Sequence, residues 1–217
     1  MSIAKTSKAK PQTAPKAPPK GRVRRSPAAS RDNILAAAET LLVAKGPQAL
    51  KLADVAAAAG VANATVLHHF ASIGGVHAAL AERLIQQLVV DILGAAIPDH
   101  NTAAARETTL ETLFDAFEAP GAARLAAWLE LTDESKRLTI VRDAVQTVIA
   151  KRMVPFGLTP AKAENLVLLS VVLAMGVGLF GATLSTQLGK PPERARKLTT
   201  DMLRAHLALL VERGELR

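Results

Sequence analysis

A chain of 217 residues that is 49% hydrophobic has the apolar material for a folded core, and the absence of cysteine excludes disulfides, thiolate metal sites and a cysteine nucleophile. Aromatic residues make up only 3%, tyrosine is absent, and prolines fall at the N-terminus or between periodic stretches, which points away from a β-sandwich and toward an all-α fold. The net charge of +8 sits in one place: Lys5, Lys8, Lys10, Lys16, Lys20, Arg22, Arg24 and Arg25 are eight bases with no acid among them, and the remaining 19 bases match the 19 acids.

Residues 1–29, rich in Lys, Pro, Ala and Ser, are expected to form a disordered basic arm, because they cannot bury enough apolar surface to order themselves. Such an arm is a solubilising leader, a phosphate-binding tail or an organellar transit peptide. It has no apolar stretch of the kind a secretory signal needs, so a cytoplasmic location is expected. From Ser30 the pattern turns helical: Ile34, Leu35, Ala38, Leu41 and Leu42 recur at i, i+3/i+4 spacing, and Gly46-Pro47 supplies the stop. Two short helices follow, Leu52 to Ala59 and Ala62 to Phe70, broken by Gly60, where a left-handed residue ends the first without a Cβ clash. Val76, Leu80, Leu84 and Leu88 then mark a long helix to about Ala96.

Further helices are expected at Thr102 to Glu118, Ala122 to Leu131 and Glu134 to Met153, and two strong ones at Pro160 to about Gly189 and Pro192 to about Arg213. Two short helices joined by a glycine turn are too small to make a core alone. Here Leu52, Val55, Ala56, Ala59, Val61, Val66 and Phe70 can pack on Ile34, Leu35 and Leu42 of the first helix, as in a helix-turn-helix.

Three segments carry a resemblance: Ile34-Leu35-x-Ala37-Ala38-x-x-Leu41-Leu42-x-x-x-Gly46, Asp54-Val55-Ala56-x-x-Ala59-Gly60-Val61 and Thr65-Val66-Leu67-His68-His69-Phe70-x-Ser72. Over about Arg31 to Leu80 the chain closely resembles the N-terminal domain of TetR-type transcriptional regulators. The resemblance implies a three-helix DNA-binding domain over 30–75 and a larger helical ligand-binding and dimerisation domain over 76–217. It implies that Asn63, Ala64, Leu67 and His68 face the major groove of double-stranded operator DNA, with Thr65 and His69 at the edge, and that Lys51 and Ser72 lie beside them. Asn63 is the side chain suited to bidentate adenine recognition. Where the family usually has Tyr, Lys and Ser or Thr, this chain has Leu67, Ile73 and Lys51, which removes two phosphate contacts and restores one.

The resemblance further implies a repressor released from its operator by a small molecule, and a homodimer formed through the last two helices, with Leu173 and Val177 at the contact. Phe114, Phe117, Trp128 and Leu131 are candidates for lining an apolar pocket, whose occupant is then small, apolar and uncharged. They can equally be core residues. No catalytic residue, cofactor or metal is assigned, and the chain is read as a non-enzyme. His68 and His69 diverge by about 100° on a helix and so do not chelate together. Gly176-Val-Gly178-Leu-Phe-Gly181 has the spacing of a dinucleotide fingerprint but lacks the flanking strands, and reads as a small-residue face for close helix approach. Leu166 to Leu184 holds no charge and is long enough to span a membrane, so a single-span membrane protein with a basic arm is the rival reading. A helix apolar on all sides is also expected inside a bundle or dimer, and no membrane partner is the favoured expectation.

Overall fold

The computed structural model describes residues 26–94 and 103–216, and among these the regular structure is helical throughout. The basic residues Lys5 to Arg25, and the expected end of the long helix at Ala96, lie outside the described residues. Helix α1 runs over Pro27–Lys45, three residues earlier than expected. Ser26 accepts from the Ala29 N–H and Pro27 stands in the first turn, an N-terminal signal placed one turn before the apolar repeat becomes visible. Helices α2 (Leu52–Ala59) and α3 (Asn63–Phe70) follow, and α4 (Ile73–Gly94) leads out of this unit.

Ile34, Leu35, Ala38 and Leu42 of α1 pack on Val55 and Ala59 of α2 and on Val66 and Phe70 of α3. That core does not close within the first three helices. Val76 and Leu80 of α4 complete it from below, together with Leu125 and Leu129 of α6 (Ala122–Leu131). The division expected at residue 75 therefore falls inside the first turn of α4 and is not a gap in packing.

The rest is a helical bundle. Helix α5 (Ala103–Glu118) lies against α8 (Pro160–Gly176) and α10 (Arg194–Glu212), with Phe114, Ala174, Val177 and Leu203 forming a second core. On the outside of that contact Arg196 donates to Glu111, Asp115 and Glu118, while Arg204 pairs with Glu107 and Asp201, so α10 is clamped to α5 by charge as well as apolar area.

A single helix from Glu134 to Met153 does not form. Ser135–Arg137 make one 3₁₀ turn, the chain is non-helical at Leu138 and Thr139, and α7 spans Val141–Val148 before a π-helical turn at Ile149–Met153. The break is held from a distance, because Glu82 on α4 accepts from both the N–H and the hydroxyl of Thr139 at 3.3 Å.

Helix α8 continues through a π-helical turn at Val177–Gly181 into α9 (Ala182–Gln187). Two of its glycines serve packing: a Cβ on Gly178 would run into the Phe117 carbonyl oxygen and one on Gly181 would crowd Ala195, whereas Gly176 faces open space. Leu173 and Val177 also face inward, into the second core, which corrects their expected place at a dimer contact. The large apolar residues left outward are Leu168, Leu169, Val172, Phe180 and Leu184 on this helix and Leu188 just beyond its end. Within the span Pro160–Gln187 an 18-residue stretch has a mean hydropathy of 2.3, and the helix is long and apolar enough to cross a membrane.

Candidate nucleic-acid interface and internal cavity

Helix α2 ends at Gly60, whose φ of 66° and ψ of 35° place it in the left-handed region, and the Val61 N–H closes the turn on the Ala56 carbonyl at 3.0 Å. The side chain of Asn33 on α1 reaches over and donates to the Ala59 carbonyl at 2.7 Å. This tie fixes the angle between α1 and the turn. Sequence reasoning missed it, because Asn33 follows Arg31 and Asp32 and reads as one more residue of a polar run.

Helix α3 then presents two faces. Val66 and Phe70 are buried, while Asn63, Ala64, Leu67 and His68 are exposed and Thr65 and His69 are half-buried at the flank. Neither the Asn63 amide nor the Thr65 hydroxyl bonds to another described residue, so both stand available to an outside partner, whereas other threonines here, such as Thr40, bond back to their own helix. Lys51 is exposed at the start of α2, and no side chain caps the first turns of α2 or α3. Ser72 is placed differently from the rest: its hydroxyl accepts from the Gly75 N–H at 3.0 Å and so caps α4. Arg31, which the motif analysis did not single out, lies with its guanidinium 5.0 Å from the Phe70 ring centroid, adding a cation beside the end of α3.

Behind this unit a cavity of about 370 Å³ opens between α4, α5, α6, α7 and α8. That volume falls in the range of small-molecule sites, roughly 300–1,000 Å³. The wall is apolar over nearly all its area: Leu88 and Val89 from α4, Leu113 and Phe117 from α5, Leu125 and Leu129 from α6, Val145 from α7 and Val171 from α8.

Of the four residues expected to line it, Phe117 does. Phe114 is fully buried on the far side of α5, in the second core, with Arg196 5.9 Å from its ring centroid. Trp128 and Leu131 are turned elsewhere, because α6 offers the cavity its Ala122, Leu125, Ala126 and Leu129 stripe. Trp128 packs edge-on against His77, with ring centroids 6.4 Å apart, and Leu131 is 84% exposed. The wall also carries two cations, Arg106 and Arg152, that the sequence analysis did not place there.

His77 is buried on α4. Burial lowers its pKa, opposed by a hydrogen bond to the Pro47 carbonyl and by the charge of Glu134. Its Nε2 has no hydrogen-bond partner among the described residues.

Residues 34–80 match the family model described as bacterial regulatory proteins, tetR family. No curated protein sequence matches the chain. Among solved structures, a transcriptional regulator from Streptomyces coelicolor A3(2) is similar at 19% identity and a TM-score of 0.53, over 80% of this chain and 95% of that one. The SmeT–triclosan complex is similar at 20% identity and a TM-score of 0.51, over 82% of this chain and 91% of that one. The multidrug-binding protein EbrR, complexed with imidazole, is similar at 20% identity and a TM-score of 0.51, over 79% and 88%. These structural likenesses concern the fold. The family match falls on the residues that build the helix-turn-helix described above, so residues 34–80 are similar to the DNA-binding domain of the bacterial regulatory proteins of the tetR family.

Proposed function

We propose that the protein is a homodimeric, ligand-responsive repressor that acts on DNA in the cytoplasm, with residues 26–75 as the DNA-binding unit, 76–217 as the ligand-binding and dimerisation unit, and the basic N-terminal arm adding phosphate contacts. The observation that carries this reading is the double use of two helices: α4 and α6 complete the core under α2 and α3 and also wall the cavity, with Leu125 and Leu129 of α6 belonging to both. An occupant that displaces either helix changes the support of the recognition helix directly. Triclosan bound to SmeT and imidazole bound to EbrR show small molecules on the same fold, which supports the cavity as a site here. The outward residues Leu168, Val172 (57% exposed), Phe180 (59%), Leu184 and Leu188 supply an apolar face that a second copy would cover.

In this reading Asn63, Ala64, Leu67 and His68 meet base edges, and Lys51, Thr65 and His69 meet phosphates or edge bases. Ser72 holds the start of α4 and reaches DNA only with its hydroxyl proton. Asn63→Ala is the test. Its amide is exposed and uncommitted in the first turn of α3, so its loss is expected to cost about 1–3 kcal/mol per half-site on an operator selected from random duplexes, with a scrambled duplex bound as before. An equal loss on both duplexes would show that Asn63 reads no base.

A further inference from the structure

From the charge placed in the cavity wall we infer that the cavity takes an anionic amphiphile, a long apolar chain ending in a carboxylate or a similar acid, and that Arg152 receives the acid. This rests on the cavity being the ligand site, and it replaces the uncharged ligand expected from the sequence. Val141, Ala144, Val145 and Val148 form the inward stripe of α7, and Arg152 stands at the next position of that stripe, just inside the π-helical turn. A guanidinium there points where another aliphatic side chain would continue the wall. Its Nη2 donates to the Thr109 hydroxyl on α5 at 3.1 Å, and Arg106 lies one helical turn before Thr109 on the same lining face. Cations from two helices therefore converge on one end of an otherwise aliphatic chamber.

Arg152 makes no ion pair among the described residues. On α5 Glu107 and Glu111 pair with Arg204 and Arg196, and on α8 Glu164 accepts from the Gln146 amide. A guanidinium cannot shed its proton to adapt to a drier site. A neutral occupant would strip water from this half-buried cation without replacing its hydrogen bonds, which is unfavourable. A carboxylate replaces them with charge-assisted, bidentate bonds, while its chain lies along Leu88, Leu113 and Val171. The arrangement thus selects both parts of the ligand: the chamber takes the tail and its one cationic end the head.

The test is a charge series on one tail. Dodecanoate, 1-dodecanol and dodecylamine, each below its aggregation threshold at pH 8, are titrated into the full-length protein by calorimetry, with the thermal midpoint as a second readout. Dodecanoate is expected to bind about tenfold to a hundredfold more tightly than dodecanol, and dodecylamine more weakly than either. Arg152→Met keeps length and apolar contact but removes the charge. It should bring dodecanoate down to the level of dodecanol while dodecanol binding, which reports an intact cavity, is unchanged. Should Arg152→Met fail to fold, Arg106→Gln and Thr109→Val provide the same comparison and should each narrow the gap. Dodecanol binding as tightly as dodecanoate, or a preference that survives Arg152→Met, would overturn the inference and leave the cavity reading in place. Failure of all three probes to bind would overturn the cavity reading itself.

Discussion

Two glycines, both at positive φ, separate backbone strain from packing: Gly60 in the turn between α2 and α3, and Gly121 where α6 meets α1. Gly60 has φ 66° and open space around its missing Cβ, so Gly60→Ala meets the left-handed penalty alone, about 1–2 kcal/mol, partly offset by a stiffer unfolded chain. Gly121, at φ 95°, would place a Cβ 2.7 Å from Leu42 Cγ. Ordinary carbon contacts lie at about 3.5–4.0 Å, so Leu42, fully buried in the first core, must retreat by roughly 1 Å. Overpacking of that kind costs about 1–3 kcal/mol on top of the backbone term, giving about 2–5 kcal/mol for Gly121→Ala. At about 2–4 °C per kcal/mol for a chain of this size, the thermal midpoint should fall by about 2–8 °C for Gly60→Ala and by about 4–20 °C for Gly121→Ala. Far-ultraviolet circular dichroism follows both. The decisive measurement is the double variant: Leu42→Ala makes room for the new methyl, so its effect and that of Gly121→Ala should combine to less than their sum. Strict additivity, or equal losses from the two glycine variants, would refute the contact between α6 and α1.

Acid should weaken the protein through His77. Its folded pKa lies below the ordinary value of 6.5, so the native state binds fewer protons than the unfolded one, and stability is full above that value and lost as pH falls below it. Thermal midpoints at pH 5.5 and 7.5 should diverge less in His77→Gln than in the wild type. Val172→Asp with Phe180→Asp should give folded monomers by light scattering, whereas Leu173→Asp, facing the second core, should unfold the chain. A wild type that is monomeric at micromolar concentration would refute the dimer. Deleting residues 1–25 should flatten the slope of log affinity for DNA against log salt, by about 0.9 for each phosphate that the arm no longer neutralises, without changing the preferred sequence.

The helix-turn-helix was legible because everything that defines it is local: an apolar repeat, a glycine that must go left-handed, and a short helix with Val66 and Phe70 on one side. The bundle was legible as helices but not as faces. Helix α6 is rich in Ala and Leu, so periodicity alone left Trp128 and Leu131 as plausible wall residues, and only the position of α4 and α5 decides that Leu125 and Leu129 take that role. On α8 nearly every position is apolar, which is why Leu173 and Val177 could not be told from Val172 and Phe180. The break at Leu138 and Thr139 comes from Glu82, which is 57 residues away in the chain. Arg152 looked like any surface base, since its meaning lies in the stripe it continues and in Thr109 across the cavity.

The same distant contacts explain how a signal could leave the cavity. Three of them converge on the joint between α4, α6 and the first core: Gly121 against Leu42, the His77 ring against Trp128, and the Glu134 carboxylate against Gly74 in the first turn of α4. The last is electrostatically favourable, because a helix N-terminus attracts a carboxylate, and Glu134 is itself paired with Arg137 just beyond α6. All three couple α6 and its following turn to elements that position α3, and none touches the cavity. A ligand that moves α6 must therefore either carry these contacts along, tilting α4 and the helix-turn-helix together, or break them at a cost in stability. The two outcomes differ in what they leave measurable: carrying them along changes operator affinity with little change in the protection of α1 amides from hydrogen exchange, whereas breaking them exposes those amides. The tight fit at Gly121, where the methyl of an alanine has no room, favours motion as a unit.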